Sequence, residues 1–90
     1  MKEFNKYELN FFRAEAVKDV GEQIMNNIKW IENDIKNEED ELAEYRRRVA
    51  EGEEGCDWRI ESCETTITRY KMRKAMWELA MNRIDEELMF

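Results

Sequence analysis

The sequence predicts an all-α protein, a long antiparallel coiled-coil helical hairpin with a shorter N-terminal helix folded back on it as a three-helix bundle. Three observations predict it. The ninety residues contain no proline and three glycines, and charged residues (41%) nearly match hydrophobic ones (42%), the balance of long amphipathic helices rather than of sheets or disordered tails. Two stretches carry a heptad pattern of apolar residues. Between them lies "EGEEG", where Gly52 and Gly55 sit among acids and a helix is expected to end and the chain to turn.

Residues 5–19 form the expected N-terminal helix. Phe4, Tyr7, Phe11, Ala14 and Val17 recur at helical spacing, and Asn5 followed by Glu8 makes a capping box. Asp19 and Glu22 repeat that spacing around Gly21, so a new helix is expected to begin there. A short helix folded back as a third strut is preferred over one long helix whose aromatic end binds another chain, because a lone two-helix hairpin of this length has a thin core.

The first arm, residues 22–50, carries Ile24, Ile28, Ile31, Ile35, Glu38, Leu42, Tyr45 and Val49 at alternating spacings of four and three, the seam of a helix that packs along its length. Residues 51–56 make the turn, and Asp57 is expected to cap the second arm, residues 57–89. That arm repeats the pattern through Ile60, Cys63, Ile67, Tyr70, Lys74, Trp77, Met81, Ile84 and Leu88. A short turn makes the arms antiparallel. With the turn centred near Glu54, the expected layers pair Val49 with Ile60, Tyr45 with Cys63, Glu38 with Tyr70 and Ile24 with Ile84. A second apolar stripe, Met72, Met76, Leu79 and Ala80, gives the second arm two faces to bury.

Charge is distributed unevenly. Residues 32–57 hold eleven acids against four bases, while acids and bases balance in the segments on either side, so the whole net charge of −7 lies in the distal first arm and the turn. In the expected register the acids around Glu38 to Asp40 face the bases of "RYKMRK", and Arg46, Arg47 and Arg48 face Glu61 and Glu64. Such flanking pairs fix partner and orientation, each contributing about 0–1 kcal/mol. Glu51, Glu53, Glu54 and Asp57 find no partners in this register, which makes the tip an acidic knob.

Several function classes fall away. The chain has no histidine, which removes the commonest general base, the usual nucleophile triads and the Glu-x-x-His ligands of di-iron bundles. Cys56 and Cys63 stand about 10 Å apart on one helix, too far for a disulfide, and without a Cys-x-x-Cys pair no zinc site is expected. The two tip glycines are flanked by acids, which repel phosphate. No catalytic residue, metal or cofactor is expected. Neither a membrane-length apolar run nor a secretory signal is present, and a cytoplasmic location is expected.

The acidic cluster repels nucleic acid and attracts basic grooves. The expected function is a small protein-binding module that inhibits a larger protein, such as a nuclease, by occupying its basic nucleic-acid-binding surface. The partner-binding residues are Glu38, Glu39, Asp40, Glu41, Glu44, Glu51, Glu53, Glu54 and Asp57, with Trp58 and Trp30 as off-seam aromatic anchors. In type the chain resembles the small acidic helical inhibitors that phages and other mobile elements direct against host nucleases, anti-CRISPR proteins among them; no sequence motif carries that likeness. The alternative is a structural coiled-coil scaffold or adaptor, forming a homodimer through Phe4, Tyr7 and Phe11.

Overall fold

The computed structural model describes residues 5–88. It consists of two helices, α1 from Lys6 to Ala50 and α2 from Asp57 to Leu88, packed as a hairpin 72 Å long, 24 Å wide and 14 Å deep. The radius of gyration is 21.0 Å, against about 12 Å for a compact chain of this size. Phe4, the side chain of Leu88 and residue 89 lie outside what is described.

The N-terminal cap forms as expected. The Asn5 side-chain oxygen accepts the Glu8 amide at 2.9 Å, and its Nδ2 donates to Glu8 Oε1 at 2.9 Å. The expected break near Gly21 does not form, so the fold-back helix and the three-helix bundle are corrected to one continuous 45-residue helix. A single interior glycine costs only about 1 kcal/mol relative to alanine. Here it is buried, and an added Cβ would stand 3.3 Å from Ile84 Cγ2. Gly21 thus belongs to the seam, at a place where α2 passes close.

The turn is built by its glycines. Gly52 has φ of 93°, a left-handed conformation that costs any L-side chain about 1–2 kcal/mol. It lets the Gly52 amide reach Val49 O and the Glu53 amide reach Arg48 O, each at 3.0 Å, the paired bonds of a Schellman motif. Gly55, with φ of 84°, turns the chain into α2. There the carbonyl of Cys56 accepts the amides of Arg59 and Ile60 at 3.0 Å. Asp57 is the first residue of α2 instead of its cap, where its charge still favours the positive end of the helix dipole.

The seam is the core. Ile31, Ile35, Leu42 and Tyr45 from α1 pack with Cys63 and Ile67 from α2, Ile60, Tyr70 and Trp77 are partly buried against them, and Ile24 and Ile28 are buried further along the seam. Among the described residues no side chain is completely enclosed, because a two-helix seam has solvent on both flanks. Two expectations at the tip change. Val49 is 38% exposed, and Cys56, at 5%, closes the end of the core in its stead. The arms are also displaced by about one layer from the expected pairing: Ile84 meets Gly21, Arg59 bonds Tyr45, and Cys63 faces Glu38 and Glu41.

Candidate protein-interaction surfaces

Three surfaces stand out, at the tip, along the back of α2 and at the open end of α1. The tip is framed by Tyr45. Its hydroxyl accepts from Arg59 Nη1 at 2.7 Å and donates to Glu41 Oε1 at 3.2 Å, while Arg48 and Arg59 stack on its ring at 5.6 and 5.4 Å from the centroid. Arg59 also lies 4.7 Å from the ring centroid of Trp58. Trp58 is nevertheless 63% exposed, so its free face is presented to solvent beside the acidic turn.

Part of the acidic cluster is answered from within the chain. Arg46 reaches across to Glu64 at 2.8 Å, and Lys71 and Lys74 reach Glu39 and Glu32 at 3.7 and 3.4 Å, as the flanking charges predict. Arg47 and Arg48 do otherwise. Instead of crossing to α2, Arg47 binds Glu44 and Glu51 on its own helix, the latter at 2.7 Å, and Arg48 lies 3.5 Å from Glu44 and 3.8 Å from Glu53. One turn of helix brings those side chains together without any interhelical reach. Glu51 and Glu53, expected to lack partners, therefore have them.

The hydrogen bonds from Arg47 hold the Glu44 carboxyl below its usual range, and the same bonds from Glu44 and Glu51 raise the Arg47 guanidinium still further. Asp40, Glu54 and Asp57 are exposed, and no ion pair to a described residue reaches them. All these pairs lie at the surface, where each contributes little, so the carboxylates keep an outward field. Glu38 is the exception in burial, half-buried within the seam.

Trp30 is 74% exposed on the outer side of α1, away from the tip. Met72, Met76 and Leu79 are all well exposed. At 100° per residue they lie roughly opposite Tyr70, Lys74 and Trp77 on α2, so the expected second stripe exists and is not covered. Its fourth member, Ala80, is partly buried.

At the open end α1 outruns α2. With Gly21 against Ile84 and α2 ending at Leu88, residues 6–16 project about 16 Å beyond the hairpin. Tyr7 is 84% exposed, and Leu9, Phe11 and Phe12 are about half exposed or more; Phe11 and Phe12 meet edge to face at 5.8 Å. Tyr7 and Phe11 stand out by their helical spacing in the sequence, whereas Leu9 and Phe12, which share a face at a spacing of three, emerge only from their exposure.

A third omission is a cluster of metal-ligating atoms. Glu38, Glu41 and Cys63 bring one carboxylate oxygen each and a thiol sulfur to within 4.8 Å of one another. Burial first, and then the charges of Glu38 and Glu41, push the Cys63 thiol up. The displaced register is what joins these residues, and heptad counting could not supply it. No helix among the described residues is long and apolar enough to cross a membrane. No family model, curated protein or solved structure matches the chain.

Proposed function

We propose that this chain is a helical protein-binding module, an antiparallel coiled coil that inhibits a larger protein by occupying its basic, nucleic-acid-binding surface. The observation that carries the reading is the tip: exposed Glu54 and Asp57 beside the open face of Trp58, at one end of a narrow rod, with exposed Asp40 further along α1. Carboxylates spread along a rod offer a basic groove the charge pattern of a phosphate backbone. An exposed aromatic adds the desolvated anchor that such an interface uses. The likeness in type to phage-encoded inhibitors of nucleases belongs to the same reading.

The test uses tagged protein to capture basic nucleic-acid-binding proteins at low salt, with elution by duplex DNA or by salt. Capture that DNA displaces, and that is lost when Glu51, Glu53, Glu54 and Asp57 are changed together to lysine, supports the reading. Capture indifferent to DNA and to that variant overturns it. Circular dichroism of the variant checks that the hairpin persists.

The projecting end of α1 favours a second reading, a scaffold that self-associates through Tyr7 and Phe11. Light scattering over a concentration series decides it. A dimer abolished by Tyr7→Ala with Phe11→Ala supports self-association, and a monomer at all concentrations removes it.

A further inference from the structure

We propose that the projecting end of α1 docks onto a second copy of this chain, in the groove between its two helices at the open end, so that two hairpins pair antiparallel about a twofold axis. The inference rests on the self-association reading above and specifies the surface that receives the aromatic end. Beside the close approach at Gly21 the hairpin carries a groove of about 510 Å³, with Gly21, Met25, Met81 and Ile84 among its walls and Lys18 and Lys29 along one side. Met25 is 41% exposed there, and residues 6–16 leave the hairpin from the same end.

One face of α1 runs from the projecting end into this groove. At 100° per residue Tyr7, Phe11, Ala14, Lys18 and Met25 fall within a sector of about 60°, and buried Gly21 lies at the edge of that sector toward α2. Two such faces set antiparallel, with the axis midway between Ala14 and Lys18, place Tyr7 against Met25, Phe11 against Gly21 and Ala14 against Lys18 of the second copy, each pair occurring twice. Large side chains thereby meet small or adaptable ones: the glycine leaves room for the Phe11 ring, and an unbranched methionine moulds to that of Tyr7. The eleven projecting residues span about 16 Å, the same length as the groove wall from Lys18 to Lys29. Each hairpin gains a third helix in trans.

Charge selects a second copy as the occupant. Glu15 and Lys18 are both exposed, and no ion pair to a described residue reaches either. In the antiparallel register Glu15 of each copy stands one residue, about 1.5 Å along the axis, from Lys18 of the other, which makes two opposite-charge contacts at the centre of the interface. Glu22, also on the groove, stands level with the uncharged Asn10. The area is sufficient for a weak dimer. Tyr7 is 84% and Phe11 58% exposed; at about 200 Å² for an aromatic side chain, two copies and the walls they cover remove about 1,100 Å² from water, close to the roughly 1,200 Å² at which specific interfaces begin. Such a dimer dissociates on dilution and leaves the end of α1 free in the monomer.

The test is sedimentation equilibrium of the full-length protein from micromolar to millimolar concentration. A monomer–dimer equilibrium is the expected result. Met25→Glu, which puts a charge in the groove at a residue already in contact with solvent, should raise the dissociation constant at least about tenfold, as loss of a central apolar anchor does. Lys18→Glu should raise it about threefold or more by setting like charges together twice. Adding Glu15→Lys to that variant should restore it, a rescue that the antiparallel register alone provides. Met76→Glu, on the back of α2, should leave it unchanged, and circular dichroism checks that each variant keeps its helices. A dimer that Met25→Glu and the charge swap leave untouched, or one that Met76→Glu breaks, overturns docking in the groove while self-association stands; a monomer at every concentration overturns both.

Discussion

Replacing Glu38 by leucine should stabilise the hairpin. Glu38 occupies the seam between Ile35 and Leu42 but is itself only half-buried. Fully burying a leucine contributes about 1.5–3 kcal/mol, so half that burial gives about 1 kcal/mol. Helix propensity is nearly neutral between the two residues, and the change also removes a charge that faces the buried Cys63. For a domain of this size 1 kcal/mol raises the unfolding temperature by about 4–8 °C. The assay is thermal and urea unfolding followed by far-UV circular dichroism. Glu41→Leu serves as the comparison, because Glu41 is exposed and its replacement should stay within about 0.5 kcal/mol. An unfolding temperature that falls, or does not move, for Glu38→Leu would refute the idea that this polar layer costs the fold stability.

Three further outcomes are expected. Gly21→Ala gains about 1 kcal/mol of helix propensity against a shift of a few tenths of an ångström in Ile84, so its unfolding temperature should rise, whereas Gly52→Ala, at φ of 93°, should lose about 1–2 kcal/mol; calorimetry of both variants checks the signs. Amides of residues 9–16 should exchange with deuterium far faster than those of residues 28–45, because a helix of this length without tertiary packing is marginal, and equal protection in mass-spectrometric exchange would mean that the end is covered in solution. Glu44, whose pKa is lowered by Arg47, contributes a small stabilisation present above its unfolded value near 4.5 and lost as pH falls through the lower folded value, so Glu44→Gln should flatten the acid limb of the stability curve.

The long-range order of this chain was legible because it rests on periodicity. Fifteen apolar positions at spacings of three and four, interrupted by Gly52 and Gly55, dictate two helices and the turn between them with little help from context. What was not legible depended on sub-residue geometry. The turn length fixes register only to within a layer, and the Schellman closure at Gly52 placed Cys56 in the core where Val49 was expected. Gly21 read as a helix boundary because its composition matches one; its actual role as the point of close approach appears only once Ile84 is set against it. Among the candidate site residues, Trp30 and Trp58 are exposed at their off-seam positions, whereas Tyr7 and Phe11 are exposed because the expected fold-back helix does not form. The arginine run was harder: at Arg47 and Arg48 pairing along one helix and pairing across to the next are equally allowed by sequence, and side-chain reach decided between them.

A two-helix hairpin can bury one stripe on each helix and no more. α2 carries two, on opposite sides, and α1 can cover only the side it touches; the Met72, Met76 and Leu79 stripe is therefore beyond reach of any intramolecular packing within the described residues. Among the described residues the projecting end of α1 is likewise uncovered, because Leu88, the last described residue of α2, stands level with about residue 17. The projecting end and the acidic tip lie at opposite ends of a rod 72 Å long, with the Met72, Met76 and Leu79 stripe between them, and charge and apolar contact perform two different physical tasks. Charge at the tip acts over about a Debye length and governs encounter and selectivity, whereas exposed aromatic and methionine side chains act only on contact and govern how long a complex persists. Under the proposed reading, tip charge reversal should therefore slow association while leaving dissociation nearly unchanged, and Trp58→Ala should do the reverse, a separation that binding kinetics resolves even when both variants show the same loss of affinity.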